Sequence, residues 1–295
     1  MISIAPNTLN SYWSLKEKFL KEYKNIANVN LLDPKVEFRY FCYKYTDNIR
    51  LLEIPNIEKQ RPLEAVIIEY RKFPHIEFLL RNAIIKLGTS WSYTIVCGLE
   101  NYNFMLNLAS SIHKNINVIL TPHSNLDQSS YSLMLSSPSF WNMLNGSKIL
   151  IMQEDSIIFN NNISEFIEWD YVGAPWPKTQ DDTINLVGNG GFSLRSKQTM
   201  LDVISLISIK DTKVNSSTAS YMKSTNNTTV PEDVYFAKNI EDFKLGKIAP
   251  WSIAFNFSTE TQYNPNSLGG HNFWLSDKEW KQRLLTQILL DPSIR

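Results

Sequence analysis

Cysteine is nearly absent: only Cys42 and Cys97 occur in 295 residues, both in apolar surroundings and without C-x-x-C spacing. That excludes a disulfide scaffold and a thiolate zinc site, and both read as small buried hydrophobes. Neither charge is in excess, with 29 Lys plus Arg against 29 Asp plus Glu and no basic run. No bulk field therefore draws the chain to nucleic acid or to an anionic membrane. No apolar run reaches membrane length, and residues 1–7 lack the basic region and apolar core of a secretion signal. The expectation is a cytoplasmic chain with no membrane span. The Asn-x-Ser/Thr triplets at Asn145, Asn162 and Asn226 then read as chance products of abundant asparagine. A phosphate loop is missing as well, since no Gly-Lys-Ser/Thr ending and no G-x-G-x-x-G spacing occurs.

What is present describes a globular chain, 43% hydrophobic and 12% aromatic, long enough for one large α/β domain or two modest ones. Residues 1–60 read as an N-terminal extension that packs on or beside the rest. In it, 14–23 has helical apolar spacing and Phe38–Tyr43 alternates loosely like a strand. From about residue 61 the pattern becomes rhythmic. Strands are expected at 64–71, 93–96, 116–120 and 148–152. Helices are expected at 74–87 (closed by Gly88), 104–113 and 131–144, the last interrupted near Pro138. Strands alternating with helices at this pace predict a mainly parallel, Rossmann-like α/β sheet flanked by helices. The main domain, 61–295, divides into a first half to 155 and a second half from 156. In the second half turns multiply, and the polar stretch 211–230 reads either as a lid or as a surface insertion. Residues 277–290 read as an amphipathic helix packed on the sheet.

The most informative stretch is Ile149–Met152, a buried strand that ends in Gln153-Glu154-Asp155. Ligands bind beyond the carboxyl ends of such strands. Continued alternation places Gln153 and Asp155 on one face and Glu154, the weaker candidate, on the other. Asp155 either ligates a hard divalent cation or caps the next turn, and Gln153 supplies a neutral carbonyl or a bond to ribose. His271, after Gly269-Gly270, gains weight only from the company of an acid; an imidazole beside a carboxylate suits Mn²⁺ better than Mg²⁺. Glu232 and Asp233 open a helix, where they either cap it or do acid–base chemistry. In the chemical reading Asp233 is the base and Glu232 orients the acceptor or the loop. The glycines of 188–192 are expected to form a turn passing beneath a sugar ring, with Asn189 bonding its hydroxyls alongside Gly190 and Gly191. Trp176 either stacks on sugar or fills core.

Six motifs occur in order: Ala65–Arg71, Gln153-x-Asp155, Tyr171–Trp176 (with GAPW), Val187–Ser196 (GNGGFSLRS), Pro231–Val234 (PEDV) and Gly270-His271. Together they resemble an uncharacterised GT-A-like glycosyltransferase family and, more distantly, β-1,3-galactosyltransferase and Fringe-like enzymes. The resemblance spans about residues 62–275. It implies a GT-A fold, a nucleoside-diphosphate-sugar donor with UDP as the expected nucleotide, and a divalent metal. It also implies Asp155 and His271 as metal ligands, Asp233 as the base of an inverting displacement, and Glu69 and Arg71 near the nucleotide. The acceptor would be a hydroxyl of a glycan, protein or small molecule. One departure stands out: those enzymes carry Asp-x-Asp where this chain has Gln153-Glu154-Asp155. Fewer carboxylates imply a weaker metal site, one held mainly by the diphosphate, or none. The rivals are a non-catalytic nucleotide-sugar or carbohydrate-binding protein on the same fold and, less well matched, a sugar-nucleotide pyrophosphorylase, which would need a Gly-rich turn after its first strand.

Overall fold

A computed structural model describes residues 6–177 and 187–289. Two helices come first, α1 (Pro6–Tyr23) and α2 (Pro34–Arg50). The second replaces the strand expected at Phe38–Tyr43. Pro34 stands at its first turn, and the Asp33 carboxylate caps it by accepting from the Lys35 N–H at 2.9 Å. Its buried Phe38, Phe41, Cys42 and Ile49 fall at i, i+3, i+4 and i+11, a helical stripe that a short alternating window disguises.

Then β1 (Leu63–Ile68), α3 (Ile76–Leu87), β2 (Trp91–Cys97), α4 (Tyr102–Ile112) and β3 (Asn117–Leu120) follow at the expected rhythm. Gly88 closes α3 at φ 71°, a left-handed conformation that favours glycine. The helix expected at 131–144 breaks into α5 (Gln128–Leu135) and α6 (Pro138–Asn142), because Pro138 can only begin a helix. Next come β4 (Lys148–Met152), β5 (Ser156–Ile158), β6 (Tyr171–Pro175) and β7 (Val187–Ser196). After them run α7 (Lys197–Leu206), α8 (Ser216–Ser224), α9 (Glu232–Phe243) and α10 (Trp251–Phe257). The chain closes with β8 (Ser258–Thr259), β9 (Gly269–His271) and α11 (Trp280–Leu284).

Six strands form one sheet in the order β3-β2-β1-β4-β7-β6. The first four are parallel and β7 runs against both neighbours, giving a mixed, mostly parallel α/β sheet compatible with a Rossmann-like fold. Both faces are covered. Ala65 and Ile67 of β1 and Leu150 and Met152 of β4 enter one apolar cluster, with α1, α2, α3 and α11. The alternate residues Val66, Ile68, Ile149 and Ile151 enter a second, with α5, α6, α7 and α9. Period-two side chains with both faces buried explain why these strands read as continuous apolar runs. The N-terminal helices share the first cluster with the C-terminal segment; Phe38 meets Phe273 edge-on at 5.4 Å and Trp280 at 6.1 Å. Among the described residues no helix is long and apolar enough to cross a membrane.

Two further expectations shift. The polar stretch 211–230 carries α8, capped by the Asn215 side chain accepting from the Thr218 N–H at 2.8 Å. Residues 188–192 form part of an extended strand, not a turn.

Candidate functional site

β1 and β4 are parallel neighbours, so their carboxyl ends open on the same edge of the sheet. The chain leaves β1 toward β2 on one side and reaches β4 on the other, which makes this the point where strand order reverses. Crevices form there in open α/β sheets. The exit of β1 is locked by Glu69. Its Oε1 accepts from the N–H groups of Tyr70 (2.8 Å) and Arg71 (2.7 Å), and both carboxylate oxygens accept from the Arg71 guanidinium at 2.8 Å.

At the exit of β4 the expected alternation fails. The Ser156 N–H donates to the Gln153 carbonyl at 3.1 Å, making a turn with Glu154 and Asp155 at its apex. Glu154, ranked lower from the sequence, becomes the hub of a cation cluster. It accepts from Arg39 at 2.5 and 3.1 Å and lies 3.1 Å from His75 Nε2, 3.3 Å from Lys35 Nζ and 3.6 Å from Arg71 Nη2. Burial opposes its charge, yet the hydrogen bonds from His75 and Arg39 and the charge of Lys35 hold its carboxyl well below the usual range.

Asp155 and His271 are brought together by backbone pairing. β5 follows the turn directly and its Ser156 lies opposite His271 of β9, while the Asn272 N–H donates to the Asp155 carbonyl at 3.2 Å. Asp155 Oδ1 thus faces His271 Nε2 at 3.3 Å, and Oδ2 meets Lys35 Nζ at 2.6 Å. Oδ1 is buried and has no hydrogen-bond partner. The other ring nitrogen of His271, Nδ1, lies 3.1 Å from Glu260 Oε1. Burial favours the neutral ring, but Asp155 and Glu260 outweigh it and push His271 up to about 10. Burial likewise opposes ionised Asp155, and His271 and Lys35 outweigh it, holding the carboxyl down.

β7 supplies the floor. Met152 pairs with Phe192, and the Gln153 N–H donates to the Gly191 carbonyl at 2.9 Å. A Cβ on Gly191 would collide with the His271 ring, and one on Gly190 with Glu232. These glycines therefore serve close side-chain approach to an extended strand. Asn189 Oδ1 accepts from the Gly191 N–H at 3.2 Å. Trp176, just after β6, is partly exposed and packs over Gly188.

On the far wall, α9 begins with the two acids. Glu232 is buried and held bidentately by Arg195, Nη1 to Oε2 at 2.5 Å and Nη2 to Oε1 at 3.0 Å. Asp233 Oδ2 accepts from the Gly190 N–H at 3.2 Å. Burial and the neighbouring Glu232 charge push its carboxyl up to about 7.

Glu69, Arg71, Gln153, Asp155, Trp176, Asn189, Gly190, Gly191, Glu232, Asp233 and His271 all line one cleft of about 1030 Å³. Asn215, Ser217, Thr218 and Tyr221 from α8 and its cap line it too, so the polar stretch borders the site. Sequence reasoning missed four residues. Arg195 stood in a quoted motif without a role, and Glu260 carried no local signal. Lys35 and Arg39 lie in the extension, whose sequence suggested no role, and the strand reading of Phe38–Tyr43 further disguised Arg39. Among the described residues no group of three or more His, Cys, Asp or Glu could hold a metal ion. What the residues form instead is an ion-paired chain, in which the Asp155 carboxylate faces an imidazole whose far nitrogen is fixed by a second carboxylate, Glu260.

No curated protein matches the chain. A family model described as a protein of unknown function, DUF5672, matches residues 115–271, from just before β3 to the end of β9. That span is more than half of the chain and carries both carboxylate pairs of the cleft, and the protein belongs to this family.

Proposed function

We propose that the protein is a GT-A-like glycosyltransferase that moves a sugar from a nucleoside-diphosphate sugar, with a UDP-sugar as the first donor to test, to a hydroxyl acceptor. The observation that carries this reading is the gathering of the candidate residues around one cleft at the reversal point of the sheet. The nucleotide would lie against Glu69 and Arg71, and the sugar over Asn189, Gly190 and Gly191 with Trp176 at its side.

Asp233 is the general base. A carboxyl pushed up to about 7 is half ionised near neutral pH, where it is strong enough to take a proton from a hydroxyl yet present in the right form. The hydroxyl oxygen would form its bond to the anomeric carbon as the bond to the diphosphate breaks, and the proton would pass to Asp233. Attack on the face opposite the leaving group inverts the centre. Glu232, tied to Arg195, positions and tunes Asp233 rather than meeting substrate.

A divalent ion, Mn²⁺ first, would be held by Asp155 and His271, with Glu260 orienting the ring. When bound, it supplies charge neutralisation for the departing diphosphate. The non-catalytic alternative, a sugar-nucleotide-binding protein, has the already ion-paired Asp155 in its favour. Asp233 favours turnover. UDP release from a panel of UDP-sugars separates the two: the wild type should release UDP, and Asp233→Asn should lose about 10²–10⁴-fold of that rate. Equal rates in wild type and variant would dispose of the proposed base.

A further inference from the structure

Among the described residues of the N-terminal helices, Lys35 lines the cleft. It stands in the first turn of α2 and touches both acids of the β4 turn, Asp155 at 2.6 Å and Glu154 at 3.3 Å. Its side chain keeps 35% of its exposure while each carboxylate keeps 4%, so the ammonium stands at the mouth of the cluster. Arg71 is its counterpart from β1. It is 36% exposed, its Nε and Nη2 are spent on Glu69, and its Nη2 lies 3.6 Å from the same Glu154 oxygen that Lys35 approaches. The two other groups on Glu154, Arg39 and His75, are buried behind it.

Glu154 therefore works as an anchor. Two buried groups fix it, and it holds two half-exposed cations side by side at the reversal point of the sheet. Beside them lies Asp155, whose Oδ2 pairs with Lys35 at 2.6 Å and whose Oδ1 faces His271 Nε2 at 3.3 Å. Partly exposed ammonium and guanidinium groups held close together suit a bidentate oxyanion such as a diphosphate.

We propose that Lys35, with Arg71, binds the diphosphate of the donor and of the nucleotide product, which makes the N-terminal extension part of the site. This rests on the nucleotide-sugar reading above and deepens it. With the Asp-x-Asp pattern reduced to Gln153-Glu154-Asp155, Lys35 supplies positive charge that a two-ligand metal site provides only weakly.

The test is calorimetric titration of the full chain with UDP, inorganic pyrophosphate and uridine, each with EDTA and with Mn²⁺. Wild type should bind UDP and pyrophosphate even in EDTA. Lys35→Met should weaken both by roughly tenfold or more, Lys35→Arg should recover most of the loss, and uridine binding should move less than about twofold. Unchanged pyrophosphate binding in Lys35→Met overturns the proposal, as does a wild type that binds neither phosphate ligand in EDTA. An equal loss of uridine binding also overturns it, because the role is then structural. The two readings fail separately. Pyrophosphate bound through Lys35 without turnover of any nucleotide sugar sinks the transferase and leaves this site standing. Turnover with a KM indifferent to Lys35→Met does the reverse.

Discussion

Asp233 is the residue whose surroundings most change its chemistry. Its neighbour Glu232 is paired bidentately with the buried Arg195, so two adjacent carboxyls share one wall and Asp233, without such a partner, takes the raised pKa. The acid limb of the pH–rate profile should then rise through about 7. Glu232→Gln removes the charge that raises Asp233, and its limb should move to lower pH. A limb that stays in place would show that Glu232 does not tune the base. Stability carries the same signature with a defined sign. A carboxyl raised from 3.8 to about 7 binds its proton more tightly in the folded chain. The penalty is absent below about 4 and grows to its full size as pH rises through 7. Asp233→Asn should therefore match wild type at pH 4 and exceed it at pH 8, by about 1–3 kcal/mol once partial exposure is allowed for. Urea melts at the two pH values measure this.

At the scale of elements, β7 approaches α9 at Gly190 and β9 at Gly191 because neither position has a side chain. Gly191 gives its space to the His271 ring and Gly190 to Glu232 and Arg195. Gly191→Ala should push the imidazole away from Asp155 and cost about 1–3 kcal/mol, as overpacking does. Thermal denaturation reads the cost, and a variant that melts with wild type would show that the ring has room to move. The glycines are legible in the sequence as a motif, but their purpose is not. A triple-glycine stretch suggests a turn, whereas the structure uses it as an extended strand stripped of side chains. The alternation of Gln153 and Asp155 misleads for a related reason: β4 ends at Met152, and a turn re-aims Glu154 toward cations from distant segments.

On the scale of the whole molecule, the first and last segments close over the same face of the sheet. Phe38 and Phe41 of α2 pack on Trp280, and Lys281 pairs with Glu37 at 2.9 Å. Phe38→Ala should cost about 3–5 kcal/mol, the range for emptying a buried aromatic site. It should also weaken UDP binding by loosening the helix that carries Lys35. Denaturant melts with parallel UDP titrations check both effects; a destabilised variant with wild-type affinity would show that α2 is uncoupled from the cleft. Buried Arg39 joins this helix to Glu154 by two hydrogen bonds, so packing and site share one connection.

Local pattern was enough for the parallel half of the sheet. Val66 to Ile68 and Ile149 to Met152 are buried on both faces, and a doubly covered strand leaves a continuous apolar run that neighbouring residues alone reveal. The acids after β4 were legible by the same logic, as polar residues ending an apolar run, while Glu232, Asp233, the glycines and His271 were legible only as local motifs. Their partners were not. Lys35, Arg39 and Arg195 reach the acids across gaps of up to about 120 positions, Glu260 reaches His271 from the far side of its ring, and side chains so placed leave no shared period for a sequence to display. Only the closing of α2 over the sheet and the pairing of β5 with β9 decide which charges meet. Electrostatic character depends on distances in space, and those exist only once the chain has folded.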